Sequence, residues 1–529
     1  MASQGRAAHA VVVGGGVGGL ACAIDLASRG VRVTLCERAG QVGGKLRQIA
    51  VAGRAIDAGP TVLTMRWVFE GLFADAGTSL AEQVKLRPLT TLARHAWADG
   101  SRLDLHADVE RSAAAIGEFA GAAEARGFRE FCRHSAAIYA QVSGPFIAAA
   151  RPTVTSLVGS LGLRGLGGVF KIDFHRSMWK ALGDYFRDPR LRQLFGRYAT
   201  YYGSDPFTAP ATLNLIAHVE QLGVWTVEGG MFELAAALRR VAIERGVVVR
   251  CGAEVAEVAV HGGKVRGVML ADGEAIVADA VIVNGDVAAV ADGRLGAAAA
   301  AAVKRPADDR RSLSALTWAA VAEVQGWPLL RHNVCFSRDY AAEFRDLAAG
   351  RLPGEPTVYI CAQDRGDALA EDAAYTAAAG SQRLLILVNA PPRGGEGRFC
   401  HPEIEACRQA TFQLLRRCGL DLTLRPEASE VTTPNDYAAL FPGTHGAIYG
   451  AATRGFTDSL TRQGARTKLA GLYLAGGSVH PGAGVPMATL SGRHAAQSVL
   501  ADLASTVGWR PAGTAGGTST RSATTVVTG

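Results

Sequence analysis

Gly14, Gly16 and Gly19 stand in G-x-G-x-x-G spacing within the stretch VVVGGGVGGL. Each position has a physical use. Gly14 permits a tight turn, Gly16 lets the backbone approach a diphosphate, and Gly19 lets a helix pack close to a strand. The chemistry that fits is anion binding, because free N–H groups and the positive dipole end of a helix N-terminus favour a phosphate there. Glu37 follows 18 residues after Gly19, where a carboxylate takes ribose hydroxyls. An acid at that place favours an unphosphorylated ribose, so NADP is disfavoured. Gly43, Gly44 and Lys45 form a second glycine turn. Its successive N–H groups make an anion-binding nest, suited to a longer, buried dinucleotide.

The elements that must position these groups are legible around them. HAVVV reads as a short buried strand, GGLACAIDLASRG as a helix capped by Gly30, and VRVTLCE as a strand ending on Glu37. MFELAAALRRVAIERG reads as a helix. The strand candidates VVVRC, EVAEVAV, KVRGVML and DAVIVN follow it, with glycine turns between them. Residues 66–225 carry helix-like patterns and aromatics without clean β periodicity. Residues 291–455 are mixed, with strand candidates SALTWAAVAEV, TVYICAQ and RLLILVNA. LYLAGG, a glycine- and proline-rich turn, and the helix MATLSGRHAAQSVLADLA close the folded part. The tail from Thr506 to Gly529 is rich in Gly, Ser, Thr and Ala and is expected to be disordered.

Bulk properties exclude several classes. The chain has 529 residues, enough for two or three domains, and 48% hydrophobic against 19% charged residues marks a folded globular protein. The net charge of +7 comes with 7 Lys among 55 basic residues, a bias that reads as genomic base composition. No stretch resembles a nucleic-acid-binding motif, so no nucleic-acid partner is expected. Nine cysteines stand in no C-x-x-C pair and are odd in number, which speaks against a disulfide framework or structural zinc and for reduced thiols in the cytoplasm. Arg6 and the small-residue stretch Ala10–Ala27 superficially resemble a signal peptide, but five glycines in that stretch argue against a secretory segment. No window of about 20 residues is free of charges and helix breakers, so membrane contact would be peripheral. No Ser-His-Asp arrangement, H-E-x-x-H or metal-ligand cluster is present, and no metal is expected.

Two further motifs narrow the reading. DAGPTVLT spans Asp57–Thr64, and its Gly59-Pro60 pair suits a backbone passing close to a flat ring. GLYLAGGSVHPGAGVP spans Gly471–Pro486 and offers a second helix N-terminus. Together with the glycine turns they resemble the flavin-containing amine oxidase and phytoene desaturase superfamily, and within it the carotenoid desaturases, over about residues 9–503. The resemblance implies FAD as cofactor, contacted by Gly14, Gly16, Gly19, Glu37, Arg38, Gly44 and Lys45. It places Gly59, Pro60 and Thr61 near the isoalloxazine, and Gly476 and Val485 in the C-terminal contact region. VEGGMFELAAAL and CGAEVAEV resemble the middle contact region, with Val255 touching the adenosine end through its backbone. The loop Gly476-Gly477-Ser478 lacks the acid common in other FAD oxidoreductases, which departs from amine oxidases and weakens a carry-over of amine oxidation. His480 has two readings: it lines the flavin pocket and moves a proton, or it is a turn residue held by Pro481. No other catalytic side chain is indicated, since a flavin carries out the hydrogen removal itself.

The implied architecture is α/β with α+β character. It comprises a discontinuous Rossmann-like FAD-binding domain (1–65, 226–290 and 456–505), a helical substrate- and membrane-facing region (66–225) and a substrate-binding domain (291–455), before the tail 506–529. DAGPTVLTMRWVFEGLFADAG, YYGSDPFTAP, FPGTHGAIYGAATRGF and LAGGSVHPGAGVPMATLSGR look most like the 1-hydroxycarotenoid 3,4-desaturases, also called methoxyneurosporene dehydrogenases. That resemblance implies an apolar acyclic carotenoid substrate, desaturated beside its polyene; the reduced flavin must then be reoxidised by oxygen, a quinone or another acceptor. Phytoene desaturation, another flavin amine or porphyrinogen oxidase, and a non-catalytic lipid carrier on the same fold are the rival readings. Because a carotenoid is insoluble, peripheral contact with the cytoplasmic side of the inner membrane is expected. Residues 151–197 are the candidate surface, with nine basic residues against three acidic ones and Phe170, Phe174, Trp179, Tyr185 and Phe186 interleaved.

Overall fold

The computed structural model describes residues 7–150, 173–307, 310–366, 380–394, 397–455 and 462–507. Five short strands form a parallel sheet in the order Leu472–Leu474, Ala280–Val283, His9–Val13, Arg32–Glu37, Val248–Cys251. HAVVV and AVIV are almost wholly buried, as the centre of a parallel sheet covered on both faces requires. Helix Val17–Ala27 follows the first turn and packs between helix Phe232–Glu244 and helix Val485–Val507. The last contact is backbone-close: a Cβ on Gly492 would overlap the carbonyl of Gly18. Segments more than 400 residues apart thus meet on one sheet. The strands at 255–277 form a separate antiparallel three-stranded sheet beside it.

A seven-stranded sheet makes the second layer, in the order Ser429–Thr432, Ser314–Ala322, Gln382–Ala390, Val358–Ala362, His332–Cys335, Thr91–Ala96, Arg102–His106. All pairs are antiparallel except His332–Cys335 with Thr91–Ala96. The three strand candidates of 291–455 are its centre. Its last two strands come from the region that showed helix-like patterns. Their signal is weak because Arg94 and Asp104 pair across the strands at 2.7 Å, leaving only Leu92, Leu103 and Leu105 as an apolar alternation.

Helices Val109–Ala120, Ala122–Val142 and Pro189–Gly196 close over this sheet around Phe128, Phe131, Phe186 and Phe195, with Phe186 and Phe195 stacked at 4.7 Å. Of the aromatics of the candidate membrane surface, Tyr185 and Phe186 pack in this layer, while Phe174 packs against the core of the parallel sheet. Phe186 is 1% exposed, Tyr185 packs on Phe131, and Trp179 packs on Phe207. Arg176 is held by Asp173 and Asp184, and Arg190 by Asp188. Arg151, Arg164, Phe170 and Lys171, like the tail from 508 onward, lie outside the described residues. No described helix is long and apolar enough to cross a membrane.

Candidate active site

One cavity of about 1270 Å³ runs from the glycine turns to the face of the seven-stranded sheet. At its first end the wall is backbone. Gly14 has φ +100°, and a Cβ there would stand 2.6 Å from the carbonyl oxygen of Asn284. A Cβ on Gly19 would overlap the Gly14 carbonyl. Gly19 does not line the cavity, so its role is the close strand–helix packing. The two glycine turns are knitted by the Gly43 N–H donating to the Gly15 carbonyl at 2.8 Å, and Gly44 sits over Gly16. Glu37 is buried. Its Oε2 accepts from the Gly15 N–H at 2.7 Å and its Oε1 from the Ala39 N–H at 2.8 Å, which fixes the carboxylate and leaves lone pairs for hydroxyl donors. A tight glycine cradle, a fixed carboxylate and a helix N-terminus fit a dinucleotide diphosphate and ribose.

The remaining expected contacts also reach this cavity. Lys45 Nζ donates to the Ile448 carbonyl at 2.5 Å and lies 5.4 Å from the Phe441 ring centroid; burial lowers its pKa while Asp286 opposes. Gly59 packs so closely on the Lys45 carbonyl that a Cβ has no place. Pro60 and Thr61 line the wall beyond it, and Val255 lines it beside Glu254. Gly476 and Val485 line the opposite side, with the Gly476 N–H donating to Ser491 Oγ at 3.2 Å. Arg38 borders the cavity, but its Nη2 donates to the carbonyls of Ala439 and Leu440 at 2.6 and 2.7 Å. There it caps the C-terminal end of helix Pro434–Leu440, where a cation is favoured.

His480 is not among the lining residues. It is a buried residue of the Gly476–Pro486 loop turned away from the cavity, with Nε2 2.9 Å from the Ala149 carbonyl and its ring edge-on to Phe146. Burial lowers its pKa, so the ring is neutral and holds a backbone carbonyl.

Two residues at the cofactor end have structural roles that the sequence did not show. Asn284, closing the strand DAVIVN, donates from Nδ2 to the Gly14 carbonyl at 3.1 Å, and its Oδ1 lies where a Cβ of Gly18 or Gly476 would stand. It ties the first glycine turn to the C-terminal loop. Asp57 opens the D-x-G-P-T segment without lining the cavity. It accepts from the Met231 N–H at 2.5 Å and from Gln48 at 3.2 Å, while Gln363 bonds its backbone on both sides. Burial pushes its carboxyl up and the Met231 hydrogen bond pulls it down. Asp57 braces the segment that Gly59–Thr61 presents.

Beyond Thr61 the wall becomes side chains: Leu92, Leu105, Leu194, Leu213, Ile216, Val219 and Val224. Tyrosine and threonine hydroxyls and the polar groups of His95, Arg197, Glu220 and His332 interrupt it. Burial, with Arg197 adding, pushes His95 down to about 3; burial, with Arg331 and Arg197, does the same to His332. Both rings are neutral near pH 7. His332 Nδ1 lies 2.7 Å from the Tyr359 hydroxyl, itself 2.7 Å from Thr61 Oγ1. An apolar lumen opening directly from a dinucleotide cradle can hold a long hydrocarbon against a redox cofactor and keep water out.

Residues 17–500 match the sequence pattern of the flavin containing amine oxidoreductase family. The chain is 50% identical over 528 residues to the hydroxyneurosporene desaturase of Rubrivivax gelatinosus, covering 99% of both chains. It is 46% identical to the hydroxyneurosporene desaturase of Cereibacter sphaeroides, over 94% of this chain and 98% of that one. Among solved structures, an oxidoreductase from Methanosarcina mazei shares the fold, with a TM-score of 0.57 at 16% identity over 93% of this chain and all of that one. The chain belongs to the flavin-containing amine oxidoreductase family, as an FAD-dependent oxidoreductase of its carotenoid desaturase branch.

Proposed function

We propose that this protein desaturates an acyclic carotenoid, introducing the C3–C4 double bond of a 1-hydroxy- or methoxy-carotenoid of the hydroxyneurosporene type. One observation carries the reading: the dinucleotide cradle and a long apolar lumen are a single cavity of about 1270 Å³. FAD bound in the cradle supplies the two-electron acceptor for hydrogens removed from a saturated C–C bond beside the polyene. The protein's own residues bind and orient. The Gly59–Thr61 and Gly476–Val485 segments flank the reacting end, and Leu92, Leu105, Leu213 and Ile216 hold the hydrocarbon and exclude water. The two relatives named above, both hydroxyneurosporene desaturases, support this substrate over phytoene.

Expression in cells that accumulate either 1-hydroxyneurosporene or phytoene tests it through pigment spectra. A red-shifted product from the hydroxylated carotenoid is expected, and conversion of phytoene alone overturns the reading. Reoxidation by oxygen or a quinone closes the cycle; anaerobic turnover with and without added quinone separates these acceptors. The insolubility of the substrate supports peripheral attachment to the cytoplasmic face of the inner membrane. Flotation with anionic liposomes checks that part, with the exposed Arg187 reversed in Arg187→Glu as the first variant.

A further inference from the structure

The 3₁₀ turn Arg197–Tyr202 sets a polar island into the apolar lumen. Arg197 Nη1 donates to the Tyr201 hydroxyl at 2.9 Å, and the guanidinium lies 5.1 and 5.3 Å from the ring centroids of Tyr201 and Tyr359. Among the described residues Arg197 makes no ion pair. Glu220, on helix Leu215–Gln221, accepts from the Tyr198 hydroxyl at 2.6 Å. Burial pushes its carboxyl up, while the Tyr198 and Tyr201 hydroxyls and the Arg197 charge oppose. Arg197, Tyr198, Tyr201 and Glu220 all line the cavity.

A guanidinium and a carboxyl that share a lumen without touching are costly to desolvate. A hydrocarbon offers neither of them a partner. A hydroxyl offers both: its oxygen accepts from Arg197, and its proton goes to Glu220. The island also stands at the right place along the cavity. Arg197 lies over Tyr359, whose hydroxyl meets Thr61, and Tyr202 at the far end of the same turn donates to the Pro481 carbonyl at 3.0 Å. The turn therefore spans the two segments that flank the reacting end. On a 1-hydroxycarotenoid the hydroxyl carbon is two bonds from C3. A hydroxyl held here leaves the C3–C4 bond beside Thr61 and the rest of the polyene in the apolar lumen.

We propose that Arg197, Tyr201 and Glu220 form a subsite for the terminal tertiary alcohol of the carotenoid, and that holding this alcohol selects which C–C bond is presented for desaturation. The inference rests on the carotenoid reading above. A methyl ether accepts from Arg197 but has no proton for Glu220, so a 1-methoxy substrate binds less tightly than the alcohol.

The test uses the purified, flavin-loaded protein with 1-hydroxyneurosporene and neurosporene, which differ at the hydroxylated end, in the same liposomes. Two readouts are taken: kcat/KM for each substrate, and Kd from quenching of tryptophan fluorescence. Wild type is expected to favour the alcohol in both. Glu220→Gln, Arg197→Met and the shape-conserving Tyr201→Phe are expected to reduce that preference by about ten- to hundredfold, as loss of a hydrogen bond to a charged or buried group does. Variants that keep the wild-type preference overturn the subsite. Wild type that converts both carotenoids equally overturns the subsite and leaves the carotenoid reading standing. Wild type that converts neither overturns both.

Discussion

At the dinucleotide end of the cavity the wall is backbone. Gly14 leaves no room for a Cβ, Gly16 and Gly44 leave little, and the groups that face the ligand are N–H donors and one carboxylate that is itself fixed by backbone N–H groups. At the apolar end the wall is side chain, assembled from the seven-stranded sheet and the helices over it, with Arg197 and Glu220 as a polar exception. The first end fits a diphosphate and a ribose, whose shapes are invariant, so rigid peptide groups suffice. The second must match a long hydrocarbon, where volume and a few placed polar groups set the choice. A substitution at the first end therefore costs the cofactor, whereas one at the second should cost the substrate and leave the cofactor in place.

The sharpest way to break that comparison is Gly19→Val. Its Cβ falls on the Gly14 carbonyl in the packed strand–helix turn, so flavin absorbance in the purified protein should vanish and soluble yield should fall. A flavin-replete variant would mean that the turn is not the cradle. Ile216→Trp should do the opposite. It narrows the apolar lumen, so carotenoid turnover should drop by about tenfold or more. Flavin content should match wild type; loss of flavin here would erase the division between the two ends.

Glu37→Gln should weaken FAD binding by about tenfold, in line with loss of a charge-assisted hydrogen bond, measured by titrating the apoprotein with FAD. The lumen variant Ile216→Trp serves as its counterpart, expected at wild-type affinity. The smallest effect concerns pH. His494 is pushed down to about 4 by burial, with His480 beside it and also lowered, and their rings hold the carbonyls of Ala148 and Ala149. An unfolded imidazole titrates near pH 6.5, so this stability is full above that pH and is lost as pH falls toward about 4. Thermal melts should show a loss on the order of 2–3 kcal/mol over that range, with a shallower slope in His494→Gln.

The cofactor end was legible because its constraints are local. Gly14, Gly16, Gly19 and Glu37 lie within one strand–turn–helix–strand unit, and each residue type answers a backbone demand of its own neighbourhood. Asn284 serves the same turn from 265 residues beyond Gly19, and nothing in DAVIVN announces it. Asp57 was legible as part of a motif, but its work as a brace for Met231 came only from the fold. The strands at Thr91–Ala96 and Arg102–His106 were hidden because Arg94 and Asp104 fill alternate positions with charge that is paired across the sheet. Phe186 and Tyr185 looked like interfacial aromatics beside arginines, yet they pack on Phe195 and Phe131, because an amphipathic helix shows the same composition whether its apolar face meets lipid or protein.

The amino-acid sequence by itself determined the dinucleotide cradle, its unphosphorylated ribose preference and the strands that carry it, since glycine spacing and the Glu37 position express local backbone geometry. The tertiary structure alone decided what shares a wall with that cradle. Arg197, Glu220, Tyr359 and Thr61 come from four separate stretches, and their meeting depends on how the seven-stranded sheet and the helical layer close over each other. Side chains that recognise a substrate answer to long-range packing, which leaves no periodic trace along the chain.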